Sequence, residues 1–83
     1  MSINEILNQI NVQGSIISEN KVYLERTDYI VIRNTEHGED VPQDIKEARD
    51  AARAAINAAE QRIIELNNDL EIAQEEEQAE AGQ

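Results

Sequence analysis

From Pro42 to Glu77 neither proline nor glycine interrupts the chain after its first residue, and Ala, Glu, Ile, Leu, Arg and Gln dominate the run. A stretch of strong helix formers this long has one economical outcome, a single long helix. Pro42 suits its first turn, where a missing N–H removes no hydrogen bond and the fixed φ is already helical. At 1.5 Å per residue the rod is about 50 Å long. Residues 44–72 are expected to be continuously helical.

Apolar residues along this helix alternate in steps of three and four. Arg49, Ile56, Ile63 and Leu70 fall in one position of a heptad, and Ile45, Ala52, Ala59, Leu66 and Ala73 in the other. This is the seam of a coiled coil, with Arg49 its one charged member. Ile45, Ala52, Ile56, Ala59, Ile63, Leu66 and Leu70 are therefore the candidate protein-interface residues. Two occupants are open: copies of the chain in a two- or three-stranded bundle, which the length of the rod favours, or the N-terminal half folded back on it. Ala48, Ala51, Ala55 and Ala58 make a second, low-relief stripe, while Arg53, Glu60 and Arg62 flank the seam where interhelical charges set register and partner choice.

The first forty-one residues are less regular. Ile3, Ile6, Leu7 and Ile10 share a helical face after Ser2, whose hydroxyl can cap a short helix with Glu5 three residues on; a bare terminal arm is the other reading. Between Asn11 and Leu24 the pattern loosens at Gly14, and the β-prone runs Ile16-Ile17 and Val22-Tyr23-Leu24 flank a polar turn, which reads as a small β-hairpin. Thr27-Asp28 can cap a short helix over 28–37, although Ile30-Val31-Ile32 also suits a strand. Gly38 is placed to take the left-handed conformation that ends a helix. The expected fold is mainly α: an N-terminal cap over 1–41, a coiled-coil-like helix over 42–73, and an acidic tail over 74–83 that frays because its carboxylates oppose the helix dipole.

Eighty-three residues with no Cys, no Trp and no Phe allow one thin core without disulfide or thiolate-metal support, which leaves self-association as the remaining means of burying more surface. A net charge of −11 argues against direct contact with nucleic acid or an anionic membrane. No apolar run reaches the ~20 residues of a membrane span, and Met1–Ile10 lacks the pattern of a signal peptide, so the expected location is the cytoplasm in which the chain is made. Chemistry has little to stand on. His37 is the one histidine, in a hydrophilic turn beside Glu36, Glu39 and Asp40; with Asp44 these acids lack the spacing of a calcium loop. No catalytic, metal or cofactor site is assigned.

The segment Lys21-Val22-Tyr23-Leu24-Glu25-Arg26-Thr27-Asp28-Tyr29-Ile30-Val31-Ile32-Arg33, followed by Glu36-His37-Gly38-Glu39, Val41-Pro42, Arg49 and Arg53, resembles a module of short tail-region proteins of bacteriophages, found in tail-fibre, tail-tip and tail-assembly proteins. The likeness covers about residues 21–57. It implies a non-enzymatic virion or tail-assembly component that makes protein contacts with copies of itself and with larger tail proteins, produced in the host cytoplasm and carried in the virion. The rival expectation is an acidic phage-encoded inhibitor whose carboxylates imitate DNA phosphates in the groove of a host defence or nucleic-acid enzyme.

Overall fold

A computed structural model of the chain describes residues 1–81, with side-chain burial through Gln78. It consists of two helices, α1 (Ile3–Glu36) and α2 (Gln43–Ala81), folded as an antiparallel hairpin 69 × 16 × 14 Å in extent.

The continuous helix expected over 44–72 lies within α2, which also carries on through the acidic stretch to Ala81; residues 82–83, the end of the expected tail, lie outside the described residues. Pro42 stands at its threshold, its carbonyl accepting from the amides of Ile45 and Lys46 at 3.1 Å each. At the other end of the chain Ser2 caps α1, its hydroxyl accepting from the Glu5 amide at 3.2 Å.

The N-terminal half differs from the sequence reading. There is no β-hairpin between Asn11 and Leu24, and the helices expected at 2–10 and 28–37 are two parts of one 34-residue element. The reason is a second heptad seam. Ile3, Ile10, Ile17, Leu24 and Val31 recur every seven residues and are all half buried. The alternate seam positions are Ile6, Gln13, Asn20, Thr27 and Asn34, four of them polar, and this hides the period from a search for apolar residues at three-four spacing. Two of these polar groups satisfy themselves within their own helix: Asn20 Nδ2 donates to the Ile16 carbonyl at 2.7 Å and the Thr27 hydroxyl to the Tyr23 carbonyl at 2.9 Å. Thr27 thus spends its hydroxyl on the preceding turn rather than on a helix start, the other local bond open to threonine.

α1 ends where Gly38 was expected to end a helix. Gly38 has φ +69°, its amide donates to the Thr35 carbonyl at 3.1 Å, and the Glu39 amide donates to the Asn34 carbonyl at 2.8 Å. This pair of bonds is the Schellman termination. Asn34, buried, adds a side-chain bond from Nδ2 to the Asp40 carbonyl at 3.2 Å that ties the six-residue turn 37–42 back to the helix.

The core is one row deep. Ile6, Ala52, Ile56, Ala59 and Leu66 are its buried apolar residues, with Leu66 at 0 % and Ile6 at 1 % exposure. Each of those two contributes about 2 kcal/mol by leaving water. Arg49 approaches Thr27 directly, so these residues are level across the hairpin. Three residues from that level along both helices, and then every seventh, set Leu24 level with Ala52, Ile17 with Ala59 and Ile10 with Leu66, large residues facing small ones in the turn half.

The two glycines on which the path of α1 depends differ in sign. A methyl group at Gly14 meets no atom within 4 Å, and that residue has ordinary helical φ, whereas Gly38 occupies the left-handed region. Gly14→Ala is expected to stabilise the fold by about 0.5–1 kcal/mol and Gly38→Ala to cost about 1 kcal/mol. Thermal and urea unfolding followed by circular dichroism measures both. A destabilising Gly14→Ala would contradict a helix running unbroken through residue 14.

Candidate protein-binding surface

The seven interface residues expected on α2 all lie on the side of that helix that faces α1. Ala52, Ile56, Ala59 and Leu66 are buried there, and Ile45, Ile63 and Leu70 are half buried. The occupant of this seam in the structure is thus the N-terminal half of the same chain, the second of the two occupants the sequence allowed. A surface for other molecules must be sought on the flanks of the hairpin.

Arg49 sets how the flanks are arranged. Arg49 is 9 % exposed, inside the seam. Nη1 donates to the Leu24 carbonyl at 2.9 Å and to the Thr27 hydroxyl, and Nη2 meets Asp28 Oδ1 at 2.7 Å. Asp28 itself is half exposed, so the pair sits at the rim of the seam, and water moderates its attraction. No buried side-chain nitrogen or oxygen among the described residues lacks a partner. Lys46 and Arg53 flank the same groove beside Val31, Val41 and Asp50, so three of the seven basic residues gather near the turn.

One broad face of the hairpin is polar. It carries Gly14, Lys21 and Asp28 from α1, and Lys46, Arg53 and Glu60 from α2, with a shallow groove over Ile10, Asn11, Gly14, Ser18 and Ile63. The opposite face is identified by the bond from Arg62 Nη2 to Gln9 Oε1 at 3.1 Å, which bridges the two helices on that side. Heptad steps from Gln9 lead to Ile16, Tyr23 and Ile30, all half buried. Steps back from Arg62 lead to Ala55 and Ala48, beside which Ala51 and Ala58 are exposed. Between Ile16 and Ile30 this flank bears no charged residue at the positions that adjoin the other helix. The stripe of alanines read from the sequence is thus one half of an apolar face whose other half comes from residues read as a hairpin. The signal for that half was present in the steps of seven from Gln9, but it appears only once α1 is known to be continuous.

Tyr29 and Ile32, 60 % and 58 % exposed, point away from α2; the Arg33 guanidinium lies 5.7 Å from the centre of the Tyr29 ring. Single exposed apolar residues of this kind are ordinary. His37 and the acids near it lie exposed in the turn. Among the described residues no group of three or more His, Asp or Glu side chains is placed to hold a metal ion, and no helix is long and apolar enough to cross a membrane. Compared with models of protein families, with curated proteins and with solved structures, the chain matches none.

The hydrogen bonds around Arg49 predict an asymmetry between the two partners. Thr27→Val keeps the shape but leaves a buried guanidinium short of an acceptor, and is expected to cost about 1.5–3 kcal/mol. Arg49→Met removes the charge together with its need for partners, and is expected to shift stability by no more than about 2 kcal/mol in either direction. The double variant should therefore be more stable than Thr27→Val alone. Urea unfolding of the three variants measures the coupling, and strict additivity would show that the two side chains do not act on each other.

Proposed function

We propose that this protein is a non-enzymatic structural or assembly component of a bacteriophage tail, acting through contacts of its helices with copies of itself and with larger tail proteins. The observation that carries the reading is the uncovered apolar flank of Ile16, Tyr23, Ile30 and the adjoining alanines, on a rod whose described residues form shallow open grooves. A surface of this kind recognises another helix surface by shape; it has no groups with which to orient a small substrate. The resemblance of residues 21–57 to tail-region proteins supplies the biological setting. In physical terms, that segment holds most of α1's turn half, the Schellman turn and the Arg49 layer, the parts that fix the hairpin's geometry.

The rival reading, an acidic mimic of DNA, calls for carboxylates in line along one face. Glu60, Glu65, Asp69, Glu71 and Glu75 divide between two sides of α2, Glu65 and Asp69 on one and Glu60, Glu71 and Glu75 on the other, rather than forming one line, which favours the structural reading.

The test is the composition of purified particles. Peptides of this protein are expected in gradient-purified virions, or, for a factor used only in assembly, deletion of its gene is expected to leave particles with absent or aberrant tails by electron microscopy. Complete and infectious particles from the deletion, together with no peptide in the parent virion, would overturn the proposal.

A further inference from the structure

The apolar flank is uncovered, and we infer that its occupant is a second copy of this chain, laid antiparallel against the first to make a four-helix bundle. This rests on the reading that the protein works through helix-mediated contacts and specifies one of them.

The first argument is self-complementarity. A two-fold interface brings the same patch together from both copies, so each patch residue needs an equivalent at equal distance on the other side of the axis. Tyr23 is level with position 53 in the register that Arg49 and Thr27 establish. Ile16 and Ile30 lie seven residues either side of Tyr23, Ala51 and Ala55 two either side of position 53, and Ala48 and Ala58 five either side. An axis crossing the face at this level sets α1 against α1 and α2 against α2, both antiparallel. Ile16 of one copy then meets Ile30 of the other beside the paired Tyr23 residues. The alanines close against alanines, where the small side chains let the two α2 backbones approach.

Area gives the second argument. A compact monomer of this mass exposes about 5000 Å², and this hairpin exposes 6083 Å². From Tyr23 to the turn is about 22 Å along the helix, so the two copies overlap for about 45 Å. With a hairpin 16 Å wide, that overlap covers roughly 700 Å² per copy, close to the ~800 Å² per partner of a stable interface.

Charge decides the direction and argues against a basic partner on this face. Residues 1–13 and 60–83 hold nine acids and one base, a net −8, while residues 14–59 hold nine acids and six bases, a net −3. The axis falls in the nearly balanced half, and the acidic ends then project beyond the overlap at opposite extremities. A parallel pair would superpose −8 on −8. A basic protein would be drawn to the acidic end rather than to this flank, whose edge on α1 carries both signs in Glu19, Arg26 and Arg33.

Sedimentation of the full chain is expected to give twice the chain mass of 9.4 kDa. Ala51 and Ala58 are exposed in the single hairpin, so glutamates there leave its fold intact. The double variant Ala51→Glu, Ala58→Glu is expected to weaken dimerisation by at least roughly 100-fold while helicity is kept, because it sets unpaired carboxylates in the contact. Ala54→Glu with Gln61→Glu adds the same charge to the outer side of α2 and should leave the dimer unchanged. A spin label at Asn8→Cys, which lies on the outer side of α1, should report a separation of about 45 Å, against less than about 20 Å for a parallel pair. A monomer well above micromolar concentration, a trimer, equal loss in both double variants, or the short separation would overturn the inference. None of these outcomes bears on whether the protein is found in virions, so the two proposals fail separately.

Discussion

Everything in this fold is referred to the layer in which Arg49 crosses from α2 to α1. A two-helix hairpin of aliphatic and alanine side chains has little to distinguish one register from a neighbouring one, since a slip of seven residues sets another aliphatic opposite another alanine. The guanidinium removes that degeneracy. It is buried, it carries five donors in a fixed fork, and its acceptors are one carbonyl, one hydroxyl and one carboxylate within a single turn of α1. Slipped by one heptad towards the N-terminus it would face Asn20, whose neighbour at position 21 is Lys; slipped the other way it would face Asn34, whose neighbour at 35 is Thr. Neither supplies a carboxylate in the place of Asp28. A polar group at one seam position commonly fixes register at some cost in stability, and Arg49 fits that role here.

The sequence was legible in proportion to how apolar its seams are. α2 carries aliphatic or alanine residues at nearly every seam position, and its course, its starting proline and the ends of the turn could all be read in advance. α1 carries the same seven-residue period with Ile, Ile, Ile, Leu and Val in one position, but Gln13, Asn20, Thr27 and Asn34 in the other. Those four, with Gly14 and the β-branched run at 30–32, imitate the punctuation of turns and strands. The helix prevails because α2 offers a matching surface along its entire length, and tertiary packing outweighs weak local preference. Thr27 shows the ambiguity in one residue: a threonine before an aspartate looks like a helix cap, and the same hydroxyl bonds equally well to the turn behind it.

The candidate site was half legible for a related reason. Periodicity reveals that a face is apolar and says nothing about what covers it. The α2 seam was read as an interface between chains, and in the structure it packs against α1, so the exposed residues are those one position round the helix. Of these, Ala48, Ala51, Ala55 and Ala58 stood out in the sequence. Ile16, Tyr23 and Ile30 did not, since their membership of one face requires α1 to be a single helix.

A hairpin of two helices is a ribbon one side chain thick, and this shape governs what the protein can do. Among the described residues those off the seam are exposed or half exposed, and the two broad faces of the hairpin present them to solvent. They differ in character. One carries Lys21, Asp28, Lys46, Arg53 and Glu60 and stays hydrated at little cost; the other is alanine and aliphatic along its centre in the turn half, with Glu19 and Arg26 at its α1 edge, and its centre becomes ionic towards the open end. The change along that second face coincides with the change in net charge from −3 to −8 between the halves. Apolar and strongly acidic surface thus occupy different lengths of the same rod. That division follows from where the alanines and carboxylates fall along a single register.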